Sequence, residues 1–210
     1  MSSIELNQVG KKFKETWVLQ NVTLSFDYGK IYGLVGRNGS GKTMIMKLIS
    51  GMATPTTGTI TVEGKRLGTD IDIPDSIGAI IEVPGFLGDM SGWRNLKYLA
   101  SLRNAIDDEA IRYAMRLVGL NPNDKKRVGK YSLGMRQRLG IAQAIMEKPH
   151  ILLLDEPMNG LDNQGVEDVR QLLRQFREQG MTIVLASHHR EDIDALCDEV
   201  YMLDEGKLVG

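Results

Sequence analysis

The chain has 210 residues, 42% of them hydrophobic and 25% charged, with a formal net charge of −1. That is enough for one large domain with a subdomain, composed as soluble globular proteins are, and the charge balance points to no nucleic-acid footprint. One cysteine excludes an internal disulfide framework and fits a reducing compartment, no signal peptide is visible at Met1 to Glu5, and no apolar run reaches the roughly 18 residues of a membrane span.

Ile4 to Val9 alternates apolar and polar residues, as a half-buried strand does. Lys11 to Glu15 reads as a polar turn carrying Phe13, and Val22 to Phe26 alternates again. The apolar run Ile31-Tyr32-Gly33-Leu34-Val35 then leads into Gly36-Arg37-Asn38-Gly39-Ser40-Gly41-Lys42-Thr43, and Met44 to Ile49 predicts a helix. Strand, glycine loop and helix in this order form the phosphate-binding P-loop, G-x-x-x-x-G-K-T. The glycines let successive N–H groups converge on one anion, and the helix N-terminus adds its partial positive charge. Lys42 is placed to reach the β- and γ-phosphates, and Thr43 to offer a hydroxyl to Mg²⁺.

Thr59 to Gly64 is a short strand with its turn, and Ile77 to Glu82 a further apolar strand stopped by Val83-Pro84-Gly85. Helical spacing then takes over: Leu96, Leu99 and Ala100 mark one helix, and Ile111, Ala114, Met115 and Val118 a second that starts at Asp107-Asp108-Glu109 and ends at Gly119. Leu139, Ala142, Ile145 and Met146 mark a third. Residues of about 87–147 read as a helical insertion within a single domain spanning 1–210. Ile151-Leu152-Leu153-Leu154 is a continuous apolar strand, which implies burial on both faces and a mainly parallel sheet covered by helices. Val166 to Arg177 is helical, Thr182 to Ala186 is another buried strand, and Cys197 sits at helical spacing with Ile193, Leu196 and Val200. Val200 to Leu203 and Lys207 to Val209 flank Asp204-Glu205-Gly206, the pattern of a closing hairpin.

Two further chemical stations stand at strand ends, where α/β sheets place ligands. Asp155 is suited to hold Mg²⁺, and Glu156 to polarise a water attacking a γ-phosphate. His188 follows the strand Thr182 to Ala186 and can hydrogen-bond the γ-phosphate or that water, with His189 expected to point away.

The order of these stations resembles the ATP-binding-cassette (ABC) ATPases, and the resemblance covers essentially the whole chain. Tyr131-Ser132-Leu133-Gly134-Met135-Arg136-Gln137-Arg138 looks like that family's signature segment and stands in its place. Asn159-Gly160-Leu161-Asp162 matches the D-loop. The resemblance implies an α/β P-loop NTPase fold with a mainly parallel core sheet, an N-terminal antiparallel β subdomain and an inserted α-helical subdomain. It implies ATP and Mg²⁺ as ligands, held by residues 36 to 43. Lys42, Glu156 as base and His188 as γ-phosphate switch would be catalytic. Thr43, Glu82 and Asp155 would serve the metal, and Phe13, or alternatively Trp17, would stack on adenine. Ser132, Gly134 and Asp162 would serve a nucleotide shared across a head-to-tail dimer.

Two departures from the family pattern stand out. Glu82 occupies the place of a glutamine, and in the signature Leu133 replaces a glycine and Met135 a glutamine. With Ile81 to Phe86, these features are similar to the bacitracin-type branch of antimicrobial-peptide exporters. The resemblance then implies an exporter ATPase, cytoplasmic and peripheral on the inner face of the membrane. A separate permease subunit would dock near Pro84, Gly85, Phe86, Leu87 and the Trp93 helix. Soluble members acting on DNA or the ribosome usually carry coiled coils, zinc modules or paired cassettes, none of which is present. Importer subunits often add a C-terminal regulatory domain, whereas this sequence ends after the hairpin.

Overall fold

Alternating burial builds the first unit. In the structure, a computed structural model that describes residues 2–83, 85–103 and 105–209, β1 (Ser2–Phe13) and β2 (Thr16–Asp27) pair antiparallel with Leu6 opposite Leu24. Ile4, Leu6 and Val9 from β1 and Leu19, Val22, Leu24 and Phe26 from β2 are buried, while the residues between them face outward. β4 (Thr57–Val62) and β5 (Lys65–Arg66) extend this sheet in the order β2-β1-β4-β5.

The second sheet carries the chemistry. Its strands are β3 (Ile31–Val35), β6 (Ile77–Ile80), β7 (Ile151–Asp155), β8 (Thr182–Ala186), β9 (Glu199–Asp204) and β10 (Lys207–Val209), in the order β10-β9-β3-β8-β7-β6. All neighbours are parallel except the closing hairpin β9–β10. Successive side chains of β7 enter different cores: Leu152 and Leu154 join the helices, whereas Ile151 and Leu153 join the first sheet. The parallel sheet is thus a wall between two cores, which is why its strands are apolar without alternation. Its first face is covered by α1 (Lys42–Ile49) and the antiparallel sheet. Its second face is covered by α2 (Gly92–Arg103), α3 (Asp108–Leu117), α4 (Leu133–Ile145), α5 (Asn163–Glu178) and α6 (Arg190–Leu196). Tyr32 joins the two sheets, edge-on to Phe26 at 4.9 Å and accepting a 2.7 Å hydrogen bond from the Asp27 amide at its hydroxyl.

Two sequence expectations need correction. The polar stretch 11–15 is not all turn. β1 runs on to Phe13, pairing Lys11 with Leu19 and Lys12 with Trp17, and the chain reverses at Lys14 and Glu15. This end of the hairpin is exposed, so its strand residues carry no apolar alternation. Val200 does not share a helix with Cys197. α6 ends at Leu196, and Val200 is an exposed residue of β9. Asp198 makes the change of direction, since its amide donates to the Ile31 carbonyl at 2.8 Å and its carboxylate accepts from the Ile31 amide at 2.9 Å.

Cys197 is packed beside Gly33 and Ile193, and burial, reinforced by Asp198, Asp192 and Asp194, pushes its thiol from 9.0 up to about 12. The neutral thiol is therefore favoured by folding. Its contribution to stability is complete below pH 9.0 and is lost as the pH climbs toward about 12. At pH 8, alkylation of the folded protein is expected to be slower than that of the urea-unfolded chain by at least about a hundredfold. Equal rates measured with a thiol-specific dye would contradict this burial.

Candidate functional site

The P-loop closes onto its own lysine. Gly41 caps α1 from a left-handed backbone (φ 109) and supplies no side-chain hydrogen bond. By contrast, α3, α4 and α5 are capped by Asp107, Ser132 and Asp162, which accept from the amides of Ala110, Met135 and Gly165. The first amides of α1 therefore have no capping side chain and suit an anion. Lys42 is 7% exposed, and its ammonium donates to the carbonyls of Gly36 at 2.7 Å and Arg37 at 3.1 Å. The Ser40 amide closes the loop on the Arg37 carbonyl at 3.1 Å, and the buried Ser40 hydroxyl has no hydrogen-bond partner among the described residues.

The strand ends bring the remaining groups to the same place. β3, β7 and β8 run parallel, so the P-loop, Asp155–Glu156 and Ser187–His188 emerge side by side. Thr43 donates its hydroxyl to Asp155 Oδ2 at 2.7 Å. His188 Nδ1 lies 2.8 Å from Glu156 Oε1. The Glu156 amide donates to the Ala186 carbonyl at 2.9 Å, and Gln137 of α4 donates to the Glu156 carbonyl at 3.3 Å. Glu156 and Glu82, which follow β7 and β6, both hold left-handed backbones (φ 52 and 63). Such a conformation is uncommon for residues with a side chain, and at a ligand cleft it marks a constrained site.

A cleft of about 880 Å³ joins these parts. Lys42, Thr43, Glu82, Asp155 and Glu156 line it, and so does Phe86. Leu133, Arg136 and Gln137 of the signature segment close its far side. Thr43 and Asp155 offer two hard oxygens of the kind Mg²⁺ prefers. No cluster of three or more His, Cys, Asp or Glu side chains that could hold a metal occurs among the described residues.

Other expected residues lie apart from the cleft or serve visible structural roles. Phe13 is 51% exposed at the tip of the first hairpin, with the Lys11 ammonium 4.9 Å from its ring centroid. Trp17 packs against Gly10 and lies under Lys12 at 5.8 Å. Ser132 and Asp162 cap their own helices, as above. Gly134 faces the Gly160 carbonyl so closely that a Cβ would stand 2.7 Å from the oxygen, which ties signature to D-loop within one chain. His189 does not point away, because its ring centroid lies 4.0 Å from that of His188. Trp93 and Phe86 pack against the helical core, and Trp93 is flanked by Lys97 at 4.9 Å and Arg112 at 5.0 Å. Leu87 is exposed, and Pro84 lies outside the described residues. Sequence reasoning missed Lys47, whose ammonium sits 2.6 Å from Glu82 Oε1. Its place four residues after Thr43, on the same helix face, was the available signal.

A glycine loop opening an uncapped helix, beside acids at parallel strand ends, defines a P-loop nucleotide-binding protein. The chain belongs to the ABC transporter family, whose sequence profile matches residues 19–159. It is 46% identical to an uncharacterized ABC transporter ATP-binding protein, YybJ, of Bacillus subtilis, over 98% of this chain and 94% of that one. It is 42% identical to the bacitracin transport ATP-binding protein BcrA of Enterococcus faecalis, over 98% of this chain and 68% of BcrA. It is 35% identical to the lantibiotic transport ATP-binding protein SrtF of Streptococcus pyogenes, over 98% and 89%. The fold superposes on a solved ATP-binding subunit of an ABC transporter with a TM-score of 0.89 at 25% identity, covering 100% of this chain and 89% of the other. The protein is thus an ATP-binding and ATP-hydrolysing subunit of ABC type.

Proposed function

We propose that this subunit powers export of an antimicrobial peptide or similar drug through a separate membrane permease. One observation carries the catalytic half of this reading: Lys42, Thr43, Glu82, Asp155 and Glu156 line one cleft, and His188 stands 2.8 Å from Glu156. The bacitracin and lantibiotic transport relatives support the export half. ATP enters with its phosphates on the uncapped end of α1, and Lys42 exchanges the two P-loop carbonyls for phosphate oxygens. Thr43 and Asp155, with Glu82 beside them, would hold Mg²⁺, which would supply positive charge against the phosphates. Glu156 takes a proton from the attacking water as its oxygen bonds to the γ-phosphorus and the bond to the bridging oxygen breaks. His188, held at Glu156, orients that water and the γ-phosphate.

In this reading the single cassette of 1–210 dimerises head to tail, and Ser132, Gly134 and Asp162 serve a nucleotide bound to the second copy. Phe13 stacks on adenine. No described helix is long and apolar enough to cross a membrane, and the subunit sits on the inner face of the membrane through its permease, docked near Gly85 to Leu87 and α2. The test is removal of the gene from its host, together with affinity purification of the tagged subunit from membranes. Export predicts sensitisation to bacitracin- or lantibiotic-type peptides and recovery of one permease. Unchanged sensitivity with no membrane protein recovered would refute it.

Glu82→Gln is expected to keep Mg²⁺-dependent hydrolysis, because a carbonyl oxygen can take the same metal position without the charge. Phosphate release measured against Mg²⁺ concentration checks this, and complete loss would show that the carboxylate itself is required.

A further inference from the structure

A glutamate at position 82 adds a negative charge beside a site that receives a polyphosphate. Glu82 joins Asp155 and Glu156 in lining the cleft, and those two are already engaged, Asp155 by the Thr43 hydroxyl and Glu156 by His188. Of the cations along the cleft, Lys42 is committed to the P-loop carbonyls. Among the described residues, Lys47 meets Glu82, with Nζ 2.6 Å from Oε1, whereas Arg136, the third cation lining the cleft, stands on the signature helix α4. It stands one turn beyond Thr43 on α1 and lines the same cleft, so the pair sits directly beside the Thr43–Asp155 station.

The energy of this ion pair does not explain it. The Glu82 side chain is 63% exposed and that of Lys47 28%, and pairs of that kind contribute little to stability. What the pair changes is local charge and geometry. It cancels the negative charge of Glu82 where the phosphates would arrive, and it draws the carboxylate of a residue with a constrained backbone (φ 63) toward α1.

We propose that Lys47 is a positioning residue for Glu82: its ammonium neutralises that carboxylate and aims it beside the Thr43–Asp155 station, so that ATP can enter a cleft carrying this additional acid. The inference rests on the reading that the cleft binds Mg–ATP. In Lys47→Met the stem is kept and the charge removed, leaving Glu82 to repel the phosphates. In Lys47→Arg the charge returns.

The experiment is equilibrium titration with a fluorescent ATP analogue, with Mg²⁺ and with EDTA, on the wild type, Lys47→Met, Lys47→Arg, Glu82→Gln and the Lys47→Met/Glu82→Gln double variant. Thermal melts on the same samples confirm folding. Lys47→Met is expected to weaken metal-free binding roughly fivefold, the scale of one unit charge acting through partly screened solvent. Lys47→Arg should restore it, and the loss should disappear in the Glu82→Gln background. A loss of equal size in both backgrounds would mean that Lys47 acts on the nucleotide and not through Glu82. No loss in either background would mean that the pair is surface decoration. Either result overturns the proposal. Failure of the wild type itself to bind the analogue would instead refute the nucleotide reading of the cleft.

Discussion

Glu156→Gln is expected to retain ATP binding, to lose hydrolysis by about a hundredfold to ten-thousandfold, the range that one positioned general base supplies, and to accumulate an ATP-bound dimer. The substitution keeps the shape of the side chain. The backbone that aims it is held independently, by the hydrogen bond its amide donates to the Ala186 carbonyl and by the one its carbonyl accepts from Gln137. The amide oxygen can still meet His188, which lies 2.8 Å from the carboxylate, but it cannot take a proton from water. Removing one negative charge from the cleft should leave nucleotide affinity equal or higher. Phosphate release under single-turnover conditions, with size-exclusion chromatography in the presence of ATP, reads both effects. Undiminished turnover would remove Glu156 from the role of base and leave His188 as the next candidate.

Lys42→Ala is expected to abolish measurable ATP binding. The ammonium is nearly buried and already sits among the oxygens of Gly36 and Arg37, in the place where phosphate oxygens would replace them. Truncating one partner of a buried charge contact costs about 2–5 kcal/mol, more than about thirtyfold in affinity. Two effects are separable here. Loss of the two carbonyl contacts affects the fold, which a melting curve reports, and loss of the phosphate contact affects only binding. Nanomolar ATP affinity retained in Lys42→Ala would contradict the assigned role.

Much of this site was legible in the residues. The P-loop is a local motif, because its chemistry is backbone amides and one lysine within eight consecutive residues. The acids Asp155–Glu156 and the histidine after β8 were legible because continuous apolar strands imply a parallel sheet, and such sheets present ligands at their carboxyl ends. The helical stretch between β6 and β7 was legible by its periodicity and by the acids that open α3, Asp107 as its cap and Asp108 and Glu109 in its first turn.

Pairings between distant residues were not legible. Nothing local says that Lys47 meets Glu82, that His188 meets Glu156, or that the His189 ring lies beside that of His188 instead of turning away. Nor does local pattern show that Gly134 closes on Gly160. The exposed end of the first hairpin misled for a related reason: solvent imposes no alternation on Lys11 to Phe13, so only the ladder with β2 reveals a strand there.

By itself, the sequence determined the class of chemistry, since phosphate binding by a glycine loop and acids at buried strand ends depend on residue type and short spacing. The tertiary structure decided which charge answers which. Side-chain partners are selected by the parallel register that sets β3, β8, β7 and β6 side by side, and a register of this kind depends on long-range pairing that no short stretch of chain encodes.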